Sequence, residues 1–239
     1  EMEEIVFKIL PPIIVFFIGY LLKSLNILKR EDGDLLLKLV FYVAAPSLIL
    51  TSLSTVELNS NLFLLVLAGP FIVLSTYGIS LLVLRILKLN QQQKGVFLIA
   101  SMIMNTGFLI PFVLATFDQT AIAMFLFFDA IGGIFAYTFV YSVAINHGTG
   151  IKNVKHIRQK LLLSPPIWAV VIALLMNIVN LSFPPFIQST LTLTGGLLSP
   201  LIMLSLGIYF TVKVFKLRCS LFAVALRMFV GLSLGLLFC

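Results

Sequence analysis

Charge is what this chain has least of. Asp, Glu, Lys and Arg make up 10% of its 239 residues against 60% hydrophobic, and the mean hydropathy is +1.14. That balance excludes an ordinary soluble domain, in which roughly a quarter of residues are charged. Histidine and cysteine are scarce as well, at two each. Cys219 and Cys239 lie near opposite ends of one apolar run, about 30 Å apart at 1.5 Å per helical residue, too far for a mutual disulfide. His147 and His156 sit in or beside a basic connection and read as solvated loop residues. With no His, Cys and carboxylate cluster at ligand spacing, neither a metal nor another cofactor is expected. There is no G-x-x-x-x-G-K-[ST] loop, which argues against an ATP-driven machine. A membrane hydrolase would need a nucleophile with a base, or paired carboxylates, and the apolar runs supply neither, so the chain is not expected to be an enzyme.

What the chain has in quantity is apolar sequence of helical length. Runs of roughly 20 residues or more, enough for about 30 Å of hydrocarbon, recur at 5–28, 34–56, 61–87, 95–117, 121–146, 161–183, 186–210 and 217–239. The chain reads as an all-α polytopic membrane protein with eight spans. The first run has no basic region before it and no small-residue cleavage site, so it reads as a span and not a signal peptide.

The formal charge of +7 is a matter of placement. Lys23, Lys29, Arg30 and Lys38 flank the first connection, Arg85, Lys88 and Lys94 the third, Lys152, Lys155, Arg158 and Lys160 the fifth, and Lys213, Lys216 and Arg218 the seventh. The connections between them carry none, and only Lys8 and Arg227 depart from the pattern. The positive-inside rule then puts the odd connections in the cytoplasm and the N-terminus outside, in a multi-pass protein of the cell membrane. A nucleic-acid partner is not expected, because the basic residues form no patch.

An internal repeat organises the spans. "LPPIIVFFIGYLLKSLNI" from Leu10 matches "SPPIWAVVIALLMNIVNL" from Ser164, pairing Pro11 with Pro165, Pro12 with Pro166 and Asn26 with Asn180. The same ungapped offset of 154 carries Pro46 onto Pro200. Leu and Ile matches between apolar helices are cheap, but three aligned prolines in two separate spans are not. A unit of five spans forces the second copy to enter from the opposite side, which defines an inverted repeat of the kind secondary transporters use. The expected organisation is a complete five-helix repeat at 1–146, a basic connection at 147–160, and a second repeat at 161–239 with three of its five helices. At this offset Arg85 maps onto Cys239, so about sixty residues of the second repeat would be missing. The expectation is a truncated product, the alternative a native eight-helix chain completed by assembly.

The fourth span, "ASMIMNTGFLIPFVLATF" from Ala100, carries helix-weakening residues at its centre. Pro111 lacks an N–H and crowds the carbonyl of Gly107, which itself weakens a helix. A break is expected there, with a half-helix from about Phe108 whose free N–H groups face the membrane middle. An anion fits such a terminus, with Asn105 and Thr106 adding donors and acceptors. The alternative is a packing kink in which the Asn amide bonds a neighbouring helix. Asp129, the only carboxylate well inside a span, is a candidate for proton coupling, or else an anchor facing water or a neighbour. Arg227 can snorkel, pair with Asp129 or add positive potential to an anion path. Gly132, Gly133, Gly195 and Gly196 read as marks of close helix packing, and Tyr20, Tyr42 and Trp168 as interfacial anchors or ligands.

"NTGFLIP" in the fourth span, "FYVAAPSLIL" in the second, "SPPIWAVVIALLMNIVNLSFP" opening the sixth and "LLSPLIMLSLGIYF" in the seventh together resemble the auxin efflux carrier family, over nearly the whole chain. The resemblance implies two inverted five-helix repeats, each with a broken fourth helix crossing its partner near the membrane centre, and export of organic anions. It implies that Asn105 contacts substrate and that Pro111 is the crossover proline. The Asn-to-Pro spacing departs from the family's by one residue, which leaves the register of the break open. The expected function is secondary active efflux of an organic anion by alternating access, with Asn105, Thr106, Gly107 and Pro111 at the substrate. The expected partners are a small carboxylate, the lipid bilayer and, as an open alternative, a second copy in a homodimer. A bile-acid/sodium-symporter type carrier and a non-transporting receptor or scaffold are the rival readings.

Overall fold

The computed structural model describes residues 2–56, 60–87, 89–103, 106–140, 143, 163–211, 224–225 and 228–233. Among them the regular structure is helical: α1 (Met2–Ser24), α2 (Arg30–Leu39), α3 (Ala45–Leu53), α4 (Ser60–Ile86), α5 (Gln91–Met102), α6 (Thr106–Thr116), α7 (Gln119–Phe135), α8 (Pro165–Ile178), α9 (Pro185–Gly196) and α10 (Leu198–Tyr209). Six helical stretches among the described residues are long and apolar enough to cross a membrane: 6–24, 30–53, 67–86, 93–116, 119–140 and 185–209. These are the expected first five spans and the seventh. The expected sixth is the shorter apolar helix α8, and most of the expected eighth lies outside the described residues.

The helices fall into two compact units. One comprises 1–58, 105–130 and 164–212, the other 59–104, 131–163 and 213–239. Within the first, α1 packs along α10 and α8 along α3. The α1–α10 contact is closed by glycines: a Cβ on Gly207 would lie 2.1 Å from the Phe16 carbonyl oxygen, and one on Gly19 2.3 Å from that of Leu204. In lipid, where apolar faces gain little by leaving solvent, such close backbone approach is what holds helices together. Gly195 does the same against the Leu48 backbone at 3.1 Å, whereas Cβ atoms on Gly132, Gly133 and Gly196 would meet nothing within 4 Å. Close packing at those three positions is therefore not seen.

Pro46 and Pro200, paired by the 154-residue offset, each lie at a helix irregularity. Pro46 cannot donate to the carbonyl of Tyr42, and the preceding residues Val40–Ala44 widen into a π-helical turn, closed by the Ala45 N–H on the Val40 carbonyl. Pro200 cannot donate to Gly196, and the chain breaks between α9 and α10 at Leu197, whose N–H reaches the Thr194 carbonyl at 3.2 Å. The two interrupted segments meet where they are interrupted, with Thr194 Oγ1 2.9 Å from Ser47 Oγ. Helix ends match too. Asn177 Nδ2 donates to the Leu53 and Val56 carbonyls at 2.9 and 2.7 Å at the end of α3, and Lys23 Nζ donates to the Phe210 carbonyl at 2.6 Å at the end of α10. Lys23 and Asn177, like Val56 and Phe210, are 154 residues apart.

In the second unit, Asn90 and Gln93 form a reciprocal capping box that starts α5. Val73, Leu84, Phe97, Leu98, Met102, Val140 and Val143 form its core. Ser80 and Ser101 bond each other inside it at 2.8 Å, so these buried hydroxyls cost little.

Candidate functional site

The fourth span is broken, and the break lies upstream of the expected position. α5 ends at Met102, and Ile103 turns extended at φ −69°, ψ 126°. The helix resumes as α6 at Thr106, two residues before the expected Phe108. Pro111 is not at the opening. It is the sixth residue of α6 and fully buried. A proline there removes one hydrogen bond to the Gly107 carbonyl, and the helix nevertheless continues through it. The described interruption is instead at Ile103, whose extended backbone ends α5. Met104 and Asn105 lie outside the described residues, as do Arg227, His147, His156, Cys219 and Cys239, so the structure gives Asn105 and Arg227 no position.

Thr106, the first residue of α6, donates its hydroxyl to a carboxylate oxygen of Asp129 on α7. Asp129 is half-buried. This contact joins two residues that the sequence singles out separately and never pairs. It puts a carboxyl at the N-terminal end of α6, where the free N–H groups and the positive end of the helix dipole favour negative charge. The carboxyl accepts hydrogen bonds when ionised and can also donate one when protonated. Behind the pair, Ile110 packs with Ala44, Leu198 and Ile202, which fixes α6 against α10 and the π-helical turn.

On the opposite face of α6, Phe108 and Phe112 line an apolar groove of about 610 Å³ with Ile13, Phe16, Met203 and Tyr209. Two residues apart in sequence, Thr106 and Phe108 point roughly 200° apart around a helix, so this groove and the Thr106–Asp129 pair are separate features.

An apolar chain whose described regular structure is helical, with a span interrupted mid-length and a carboxyl at the start of its second half, has the make-up of a membrane carrier. The comparison with known families agrees: a family described as "Membrane transport protein" matches residues 4–239, and the chain belongs to it, the auxin efflux carrier-like family that the sequence resembles. Among curated proteins it is 30% identical over 213 residues to an uncharacterized transporter of Methanocaldococcus jannaschii, covering 85% of this chain and 68% of that protein. It is 29% identical over 204 residues to an uncharacterized transporter of Methanothermobacter thermautotrophicus, covering 84% of this chain and 66% of that one. The chain thus spans about two thirds of the length of each.

Proposed function

We propose that this chain belongs to a secondary active transporter that moves a small organic anion across the cell membrane by alternating access. The substrate sits at the start of α6, held by Asn105, Thr106 and the first-turn N–H groups of α6, with Gly107 allowing close approach. Pro111 stiffens the half-helix from within. Asp129 is the proton-coupling group. The observation that carries this reading is the Thr106–Asp129 hydrogen bond at the start of α6: a titratable group occupies the place where an anion would be bound. The corresponding cap geometries and helix pairings of 10–53 and 164–207 support an inverted repeat, the symmetry that alternating access uses.

The test is flux. Proteoliposomes containing the protein, screened over mono- and dicarboxylic acids at varied pH and sodium, should accumulate or release at least one acid in a gradient-dependent way. Flux that requires sodium and ignores pH would favour a bile-acid/sodium-symporter type carrier, and saturable binding without flux a receptor.

A further inference from the structure

The first unit contains two equivalent corners with unequal contents. At the end of α10, the Lys23 ammonium donates to the Phe210 carbonyl at 2.6 Å, the Tyr209 hydroxyl donates to the Asp34 carboxylate, and the Arg30 guanidinium lies over the Tyr209 ring at 5.6 Å. Moving each residue by the repeat offset replaces Lys23 by Asn177, Tyr209 by Thr55, Asp34 by Gln188 and Arg30 by Pro184. Every charged or aromatic group becomes a smaller or neutral one. The second corner, at the end of α3, accordingly holds an open cleft of about 690 Å³, lined among others by Thr55, Val56, Asn177, Asn180, Ser182 and Gln188. That volume is within the roughly 300–1,000 Å³ typical of small-molecule sites.

The backbone frame of the cleft matches that of the filled corner. α3 ends at Leu53 and α8 at Ile178, so the carbonyl ends of two helices, each with a partial negative charge, converge on the cleft. Asn177 bonds the Leu53 and Val56 carbonyls but brings no charge to them. Among the described lining residues there is no Lys, Arg, Asp or Glu, while Ser54, Thr55, Ser182 and Gln188 add side-chain oxygens. We infer that this cleft binds a primary ammonium group, which does there what the Lys23 side chain does at the other corner. The ammonium can come from a free amine or from the head group of an aminophospholipid. The site is remote in sequence from Thr106 and Asp129 and does not depend on the transport reading.

Thermal unfolding of the purified protein in detergent tests this, with ethylammonium chloride as the probe and tetramethylammonium chloride, which has no N–H to donate, at equal ionic strength. Ethylammonium should raise Tm saturably by about 2–4 °C, and tetramethylammonium should not. Asn177→Lys restores an internal ammonium; it should raise Tm without ligand and abolish the response. Thr55→Tyr, which refills the corner with a ring, should abolish the response as well, and serves if the lysine variant does not fold. Equal shifts with both salts, no shift at all, or a full ethylammonium response in a folded Asn177→Lys protein would each overturn the proposal. In nanodiscs, loss of the ethylammonium response with phosphatidylethanolamine but not phosphatidylglycerol assigns the ammonium to lipid, and its persistence in both assigns it to a free amine.

Discussion

Asn26 and Asn180, 154 residues apart, adopt the same left-handed backbone, with φ 58° and 54°, and are the two non-glycine residues that do so among those described. Each ends a helix in the same way: the Ile27 N–H reaches back to the Leu22 carbonyl at 3.0 Å, and the Leu181 N–H to the Met176 carbonyl at 2.8 Å. Asn tolerates this conformation better than other side chains because its short amide can bond locally.

The first prediction follows from that geometry. Asn180→Gly should leave stability unchanged or slightly raised, and Asn180→Val should cost on the order of 1–2 kcal/mol. The same two changes at Asn26 should give matching values. Thermal melts of the four variants in detergent check this, and clearly different costs at the two positions would count against their equivalence.

A sharper contrast is expected among glycines. Gly207→Ala puts a methyl 2.1 Å from the Phe16 carbonyl oxygen and 2.7 Å from the Tyr20 nitrogen. Backbone atoms cannot yield as a side-chain tip can, so α1 and α10 must separate, at about 1–3 kcal/mol or more. Gly132→Ala meets nothing within 4 Å and should be neutral or mildly stabilising, since Ala favours helix. If both variants melt alike, the close approach of α1 to α10 is not as described.

Which features were legible in the sequence follows from the range of the interactions that produce them. Apolar runs and basic flanks are local, and the spans they imply agree with the helices at 6–24 and 30–53. The pairing of Pro46 with Pro200 and of Asn26 with Asn180 was legible because proline and left-handed Asn act on their own backbone. The register of the broken helix was not. Pro111 signals helix weakness, but whether a helix breaks at a proline or runs through it depends on what buries the ring, and here it is fully buried. The Thr106–Asp129 pair was equally hidden, since nothing in the chain specifies which face of α7 meets the start of α6. The match between Lys23 and Asn177 is hidden in the sequence, where a lysine aligned with an asparagine looks like a mismatch, although both donate to the end of the neighbouring helix.

Orientation is open to direct measurement. With fourteen of sixteen basic residues on alternate connections, single cysteines in an otherwise cysteine-free chain should react with a membrane-impermeant reagent at Ser60 and not at Asn153 in intact cells. The reverse pattern would invert the topology.

Asn105 can be judged by affinity. Once a transported acid is in hand, Asn105→Ala should weaken its binding by on the order of 1–3 kcal/mol, the range for a hydrogen bond to a charged group, with expression and melting unchanged. Unaltered affinity in a folded variant would return Asn105 to a packing role.

Asp129 is the residue on which the coupling argument turns. Its carboxyl meets the hydroxyl of Thr106 at the first residue of α6, so an arriving anion and an ionised Asp129 would share one positive helix end and repel each other. Protonation removes the repulsion and supplies a donor. Flux through the wild type should therefore rise as pH is lowered on the side from which substrate binds. Asp129→Asn keeps the shape, is neutral at every pH and still offers N–H donors, so its flux should be flat with pH and should no longer be driven by a proton gradient. Thr106→Val removes the hydroxyl but leaves the carboxyl in place; the pH dependence should remain, with its midpoint shifted. Initial rates in proteoliposomes with independently set internal and external pH separate these outcomes. An Asp129→Asn protein that transports with the wild-type pH profile would show that the carboxyl only anchors α7 to α6, and that the coupling, if any, lies elsewhere.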